Sequence, residues 1–287
     1  MSANDIATGV YTGPVRWLCV LLVCGCHTDA PPHGDAVRAT SWHTWATLDT
    51  HTWIRSEQLL HRAPALRPLE FESAPFAFDV LFSPSAAAHV DEHGLARRGV
   101  TSVPAFPTDA AIVKLVWYPL PPGGSVELPV WDADAALPEG NPTRTWSRTV
   151  TIADADRDDF IHDDDHILVG AHITTKALPD WTWATFWWHD RPDDGPYAMG
   201  RPDDVRGPAR HYLMNAAFTA DEPCFNPYLE ARFADGESSN CLACHRRAVV
   251  GATTYLPVTH GRLADDDPYL RGKIPTDFVW SLALEAN

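Results

Sequence analysis

The stretch from Ser238 to Arg247, SSNCLACHRR, contains two cysteines and a histidine at a spacing that suits one kind of chemistry. Cys241 and Cys244 are followed at once by His245, which completes the pattern C-x-x-C-H. This pattern is the attachment signature of c-type haem, in which two thioether bonds fix the porphyrin and the adjacent histidine ligates the iron. With 6 Cys and 14 His in 287 residues, chance predicts only about 0.006 copies, so the sequence predicts a covalent haem site here.

The N-terminal stretch GPVRWLCVLLVCGC predicts an export signal, because one arginine precedes about nine apolar residues, too few to span a bilayer. The segment LVCGC resembles the lipobox of bacterial lipoproteins. This resemblance implies that residues 1–25 are a signal peptide that is removed and that Cys26 receives the lipid. Residues 26–40 then form a polar tether, and His27 after the lipidated cysteine favours the outer membrane, on its periplasmic or surface side.

Zinc is an alternative to haem at the same residues. Cys224, Cys241 and Cys244, with either His245 or a remote histidine, would supply thiolate and imidazole ligands, and thiolates separated by two residues are common in zinc sites. A redox-active disulfide is a third alternative, although the sequence lacks the βαβ pattern of thioredoxin-like proteins. Haem is the first hypothesis because covalent haem attachment in bacteria takes place outside the cytoplasm, where thiolates are not kept reduced.

The second axial ligand of such an iron is open to several residues. The first candidates for this distal position are Met214, 31 residues before His245, and His172. His260 and His189 come after these two. No methionine follows the C-x-x-C-H motif in the sequence, whereas small cytochromes c supply a Met ligand downstream of theirs. An open sixth position would favour ligand binding or peroxide chemistry over electron transfer.

Composition limits the class of protein and its partners. A formal net charge of −16 argues against a nucleic-acid partner, because phosphate binding needs clustered Lys and Arg. The same charge would attract a basic protein instead. The 25 Pro and 17 Gly separate short apolar stretches, which is typical of strands and turns rather than long helices.

These patterns predict a mainly β fold, with an antiparallel sandwich-like body followed by a loop-rich, partly helical C-terminal segment. The body spans residues 41–220 and begins with a helix from Ser41 to Leu60, where Trp42 and Trp45 lie at helical spacing. Strands are predicted in AIVKLVWYP, SVELPVW and TWSRTVTIAD. Residues 221–287 form the haem-binding segment.

A hairpin is predicted from HILVGAHITT and WTWATFWW, two apolar arms around the turn KALPD. With the turn centred on Leu178, Ile173 would face Trp183 and His172 would face Ala184. This register places His172 on a face with residues that could line a pocket for a flat ring: Gly170, Ala184, Phe186 and Trp188. The alternative is a sheet face packed under a loop, with an ordinary hydrogen-bonded histidine.

Three stretches together resemble a group of exported bacterial cytochrome c-like proteins that carry a single C-x-x-C-H motif near the C-terminus: CFNPYLEARF, SNCLACHRRA and WTWATFWWHD. The resemblance covers about residues 169–249. It implies covalent haem at Cys241 and Cys244, with His245 as the proximal iron ligand. It implies no particular reaction.

The sequence therefore favours a membrane-tethered, single-haem c-type cytochrome-like protein that transfers electrons to and from a redox partner, a basic protein that the acidic surface would attract. A haem enzyme, or a gas or peroxide sensor with an open iron, is the second hypothesis. A non-haem binding module that zinc stabilises is the third.

Overall fold

The structure of this chain is a computed structural model. It describes residues 41–61, 76–133, 147–217, 219–230, 236–252, 261 and 263–283. The predicted export signal, Cys26 and the tether therefore lie outside the described residues, as does His260. None of the helices in the described ranges has the length and apolar character of a membrane span.

The body is built on one antiparallel sheet of seven strands. Its strands are β1 (Ile54–Arg55), β2 (Ala77–Phe82), β3 (Ala111–Pro119), β6 (His162–Asp163), β7 (His166–Thr175), β8 (Thr182–Trp188) and β9 (Tyr212–Ala217), while β4 (Ser125–Val130) and β5 (Arg148–Ala153) pair with each other. The order in the sheet is β1-β2-β3-β7-β8-β9, with β6 paired to the start of β7. The predicted mainly β, antiparallel body is confirmed, including strands in the three stretches expected for β3, β4 and β5.

Short helices connect and cover the strands. They are α1 (residues 41–46), α2 (Ser56–Leu59), α3 (Pro84–Glu92), α4 (Cys241–His245) and α5 (Trp280–Ala283). Together with 3-10 turns at Gly236–Ser238 and Pro268–Leu270, α4 and α5 confirm a loop-rich, partly helical C-terminal segment. This segment carries the C-x-x-C-H motif on α4.

The prediction of a single helix from Ser41 to Leu60 is wrong for the middle of that range. The chain turns after α1 and enters β1 before it forms α2. A local turn explains the break, because the backbone N–H of His51 donates to Asp49 Oδ1 at 3.0 Å and competes with helical hydrogen bonding. The part of the predicted helix that packs on the sheet is therefore α1. It buries Trp42 and Trp45, as their spacing predicts.

The two faces of the large sheet have different covers, because side chains alternate between the faces along each strand. Phe186 of β8 and its partner Met214 of β9 share one face. Trp45 of α1 stacks on Phe186 there, with ring centroids 4.6 Å apart, so we call this the α1 face. The opposite face, called the C-terminal face, is covered by Asn226 and Phe278 of the C-terminal segment. The candidate haem-attachment site, in the C-terminal segment, therefore lies on this C-terminal face.

The hairpin of β7 and β8 is present, but its predicted register is wrong by one residue. His172 pairs with Thr185 instead of Ala184. The cause lies in the turn, where Trp181 has a φ of 62° and leaves the ladder. A shift of one residue exchanges the two faces of one arm relative to the other. His172 therefore shares its face with the polar Thr185 and not with Phe186.

Candidate haem-attachment site

Helix α4, which carries the motif, is fixed at its start by the side chain of Asn240. The backbone N–H of Ala243 donates to Asn240 Oδ1 at 2.8 Å, which caps the helix. Asn240 Nδ2 donates to the carbonyl oxygens of Thr219 at 2.7 Å and Glu222 at 2.6 Å. Because Asn240 is fully buried, this one residue ties the motif to the chain that follows β9.

Asn240→Ala is expected to lower the free energy of unfolding by roughly 1–3 kcal/mol, because α4 loses its cap and the carbonyl groups of Thr219 and Glu222 lose a donor. Chemical denaturation followed by tryptophan fluorescence measures this loss. Asn240→Ser is the matched variant: its hydroxyl oxygen still caps the helix, so it should lose less stability. Equal and small losses in both variants would contradict the anchoring role of Asn240.

The two motif sulfurs lie in different surroundings. Cys241 Sγ is 3.2 Å from Cys224 Sγ, and both thiols are buried. The thiol of Cys244 is partly exposed and packs in a separate small cluster with Trp280 and Ala248. One helical turn therefore carries a sulfur that contacts another thiol and a sulfur that contacts an indole.

Both thiols are protonated in this environment. The contact with Cys224 and burial raise the pKa of Cys241 well above its ordinary value. Burial, with a smaller contribution from the negative charge of Glu230, raises the pKa of Cys244 to about 11. Because thiolates are the usual zinc ligands, this environment does not favour the bare thiols as a preformed metal site.

His245 is held in one orientation by a backbone carbonyl. Its Nδ1 lies 2.8 Å from the carbonyl oxygen of Phe278, and its ring centroid is 4.3 Å from that of Trp183 on the C-terminal face. A carbonyl oxygen can only accept, so Nδ1 carries the proton and Nε2 keeps its lone pair. Burial lowers the pKa of His245 to about 3, so the ring is neutral at neutral pH. A neutral, oriented imidazole of this kind fits an iron ligand.

The carbonyl that orients His245 is itself fixed by a buried ion pair. Lys176 Nζ, in the β7–β8 turn, donates to Asp277 Oδ1 at 2.7 Å. The backbone N–H of Phe106 donates to Asp277 Oδ2 at 2.9 Å. These contacts hold Asp277 and Phe278 at φ values of 49° and 71°, the left-handed region that residues other than glycine rarely adopt. The sequence analysis missed Lys176 and Asp277, which are 101 positions apart.

A row of polar side chains crosses the C-terminal face at the same level. Lys114 of β3 pairs with His172 of β7, His172 pairs with Thr185 of β8, and Thr185 pairs with Asn215 of β9. Directly paired residues lie on one face, so these four side chains point toward the C-terminal segment. Polar residues on a buried sheet face need partners, and the cover supplies them.

Asn226 of the cover contacts this row closely. Its Nδ2 donates to Thr185 Oγ1 at 2.7 Å and to the Phe186 carbonyl oxygen at 2.8 Å. Gly170 makes this approach possible, because a Cβ at that position would lie 3.1 Å from Asn226 Oδ1. The C-terminal segment is thereby docked on the sheet beside His172, two residues from Gly170.

His172 and Glu230 form a half-buried pair on the C-terminal face. His172 Nε2 lies 3.3 Å from Glu230 Oε2, which also accepts a hydrogen bond from the backbone N–H of Asn226 at 2.6 Å. Burial raises the pKa of Glu230, but His172, the Asn226 N–H and Lys114 together bring that pKa below its ordinary value. The charges of His172 and Lys114 also lower the pKa of His245. His172 and His245 thus both lie on the C-terminal face, His172 as the partner of Thr185 and His245 against Trp183.

The other distal candidates lie elsewhere in the structure. Met214 is fully buried on the α1 face, paired with Phe186, and the structure does not bring it near His245. His189 follows β8 and lies 3.2 Å from Asp132, in a group of ion pairs at the end of that strand. His172 therefore lies on the same face of the sheet as His245, whereas Met214 lies on the opposite face.

The zinc hypothesis needs the three thiols and a histidine to converge. In the part of the chain that the structure describes, no group of three or more His, Cys, Asp and Glu side chains could hold a metal ion. Cys224 and Cys241 meet each other, whereas Cys244 packs against Trp280. His260, one of the remote histidines, lies outside the described residues.

Comparison with family models, with curated proteins and with solved structures found no match for this chain. The site residues themselves are therefore the basis for a function. They combine two thiols on one helical turn, a neutral histidine oriented by a carbonyl, and a half-buried pair between His172 of the sheet and Glu230 of the cover.

Proposed function

We propose that the protein is an exported c-type haem protein that transfers single electrons. In this proposal Cys241 and Cys244 bind the porphyrin through thioether bonds, and His245 ligates the iron through Nε2. The contact of His245 Nδ1 with the Phe278 carbonyl oxygen, at 2.8 Å, carries the proposal because it selects the tautomer that an iron ligand needs. A bound c-type haem would supply a one-electron iron centre.

Export and anchoring belong to the same proposal. Removal of residues 1–25 would leave lipidated Cys26 as the N-terminus, and residues 26–40 would tether the body to the outer membrane. The formal charge of −16 would steer a basic redox partner toward this body. His172 would approach the iron from the sheet, with Glu230 holding its orientation.

The His172–Glu230 pair also supports a second function, a haem enzyme or peroxide sensor with an open iron. An imidazole and a carboxylate 3.3 Å apart can share a proton once they align, which suits them to general acid–base work on a bound ligand. Both groups lie on the side of the sheet that faces α4. In that case His172 would act on a bound ligand rather than on the iron.

Haem attachment predicts that the denatured protein stays coloured, because thioether bonds survive unfolding. The chain is produced with its export signal in a host that matures c-type cytochromes, and its mass should exceed that of the mature chain by one haem. Cys244→Ala should abolish attachment through two thioethers, and His245→Ala should disturb the low-spin spectrum. A colourless denatured protein that contains one zinc would instead favour the zinc-stabilised module.

Carbon monoxide separates the two haem functions. A reduced iron with two strong protein ligands resists carbon monoxide, whereas an open iron binds it readily. If His172 ligates the iron, His172→Leu should convert a resistant protein into one that binds carbon monoxide. Met214→Leu is the matched control and should leave the spectrum unchanged, because Met214 lies on the α1 face. Rapid binding by the parent protein would favour the enzyme or sensor.

A further inference from the structure

We propose that Cys224 and Cys241 form a disulfide in the exported chain before haem is attached. The inference rests on the proposed function, since it gives the Cys241 sulfur two successive covalent partners, first Cys224 and then the porphyrin. It assigns a role to Cys224, which neither electron transfer nor the C-x-x-C-H motif requires.

The positions of the two sulfurs support this bond. Cys224 Sγ and Cys241 Sγ are 3.2 Å apart, and a disulfide of about 2.05 Å needs them to approach by only about 1 Å more. The backbone already holds the two segments side by side: Cys224 N–H donates to the Ser239 carbonyl oxygen at 2.7 Å, and Cys224 forms a parallel bridge with Asn240. Small side-chain rotations are therefore sufficient.

Cys244 is not placed to compete for this bond. It is the other cysteine of the motif, but its thiol packs with Trp280 and Ala248 in a different cluster from Cys241. In an oxidising compartment, the pair that the fold brings into contact is Cys224 and Cys241.

The chemistry balances by thiol–disulfide exchange. The thiols of Cys224 and Cys241 give up two electrons and two protons to a disulfide-bonded oxidant, which becomes two thiols. Because both sulfurs are buried in the folded chain and an oxidant reaches them poorly there, the bond forms while the chain folds under that oxidant. A thioether at Cys241 needs the thiol again, so a dithiol reductant must return the two electrons before haem is attached.

The disulfide can be mapped directly in the full chain exported by a host that lacks cytochrome c maturation. Free thiols are blocked with iodoacetamide under denaturing conditions, and the protein is digested with trypsin. Arg232 separates peptide 211–232, which contains Cys224, from peptide 233–246, which contains both motif cysteines. We expect these two peptides to be joined until dithiothreitol is added, with chymotryptic cleavage after Leu242 showing that Cys241 is the joined residue and that Cys244 is alkylated.

Two variants sharpen the test. Cys244→Ser should keep the joined peptides, whereas Cys224→Ser should abolish them and leave Cys241 open to alkylation. In a host that matures c-type cytochromes but has limiting dithiol reductant, Cys224→Ser should also raise the fraction of chain that carries haem. The reason is that no disulfide then blocks the Cys241 thiol. A bond within peptide 233–246, or three alkylated thiols without reduction, would overturn the inference.

The outcome also separates this inference from the proposed function. A chain that gains haem in the competent host but never shows joined peptides overturns the disulfide alone. Joined peptides in a chain that never gains haem overturn the haem function and leave the disulfide as a structural bond.

Discussion

Lys176→Met is expected to lower the free energy of unfolding by roughly 3–5 kcal/mol. Lys176 is buried, and its Nζ donates to Asp277 Oδ1 at 2.7 Å and to the Pro179 carbonyl oxygen at 2.6 Å. Methionine keeps the length of the side chain but leaves the Asp277 carboxylate buried without its cation. Removing one partner of a buried ion pair costs more than the intact pair contributes, because the remaining charge is uncompensated. Urea denaturation measures the difference.

The same substitution should reach the motif through the backbone. Asp277 and Phe278 hold φ values of 49° and 71°, and Lys176 is one of the two contacts that fix the Asp277 carboxylate. Without it, the Phe278 carbonyl loses its fixed position beside His245 Nδ1. In the haem-loaded protein we therefore expect a change in the low-spin spectrum as well as in stability.

A surface lysine and a double variant control this prediction. Lys273 is exposed and lies over the Tyr269 ring, so Lys273→Met should cost less than about 1 kcal/mol. Combining Lys176→Met with Asp277→Asn should recover part of the loss, because the buried charge is removed and asparagine tolerates a positive φ. If Lys176→Met and Lys273→Met lose the same stability, the pair does not fix the turn.

The sequence was informative where the signal is local. The apolar run that ends in a Pro and Gly turn predicted β3, the stretch SVELPVW predicted β4, and the arms of the β7–β8 hairpin were placed within a residue or two. These elements follow from short-range preferences that act within each segment. The candidate motif on α4 is local in the same sense, since its residues occupy one helical turn.

The hairpin register could not be predicted from local preferences. It depends on Trp181 leaving the ladder at a positive φ, which is an uncommon conformation for an aromatic residue. Tertiary packing favours it: the Trp181 ring lies 5.5 Å from that of Phe106, and Lys176 Nζ lies 5.4 Å above it. The sequence therefore offered His172 as a candidate distal ligand but placed it with Phe186, on the wrong face.

The residues that contact the candidate site residues could not be predicted from the sequence for a related reason. Glu230 acts on His172 across the boundary between sheet and cover, and Cys224 contacts Cys241 across 17 positions. No periodic pattern links such partners, because their proximity is created by the packing of the C-terminal segment on the sheet. Gly170 was the one available signal, since glycine within a strand often marks a close approach of another segment.

The haem-free chain is expected to lose stability as the pH falls below about 6.5. Burial lowers the pKa of His245 to about 3 from an ordinary value of 6.5. Between these two pH values the unfolded chain binds a proton that the folded chain does not. The free energy of unfolding then falls by up to about 1.4 kcal/mol per pH unit for this residue, and the loss is complete near the folded pKa. Burial also lowers the pKa of His89 and His189, which act in the same direction.

His245→Gln should reduce this slope by the contribution of about one titrating proton, because glutamine does not titrate. Its amide can still donate to the Phe278 carbonyl. Urea denaturation at a series of pH values between about 4 and 7 measures the slope for both chains. His51→Gln is the matched control for the exchange of histidine for glutamine, at a position that is exposed in the folded chain. Equal slopes for His245→Gln and the parent would show that the folded chain protonates His245 as readily as the unfolded one. That result would also remove the support for an iron ligand, since only an unprotonated ring nitrogen can bind a metal.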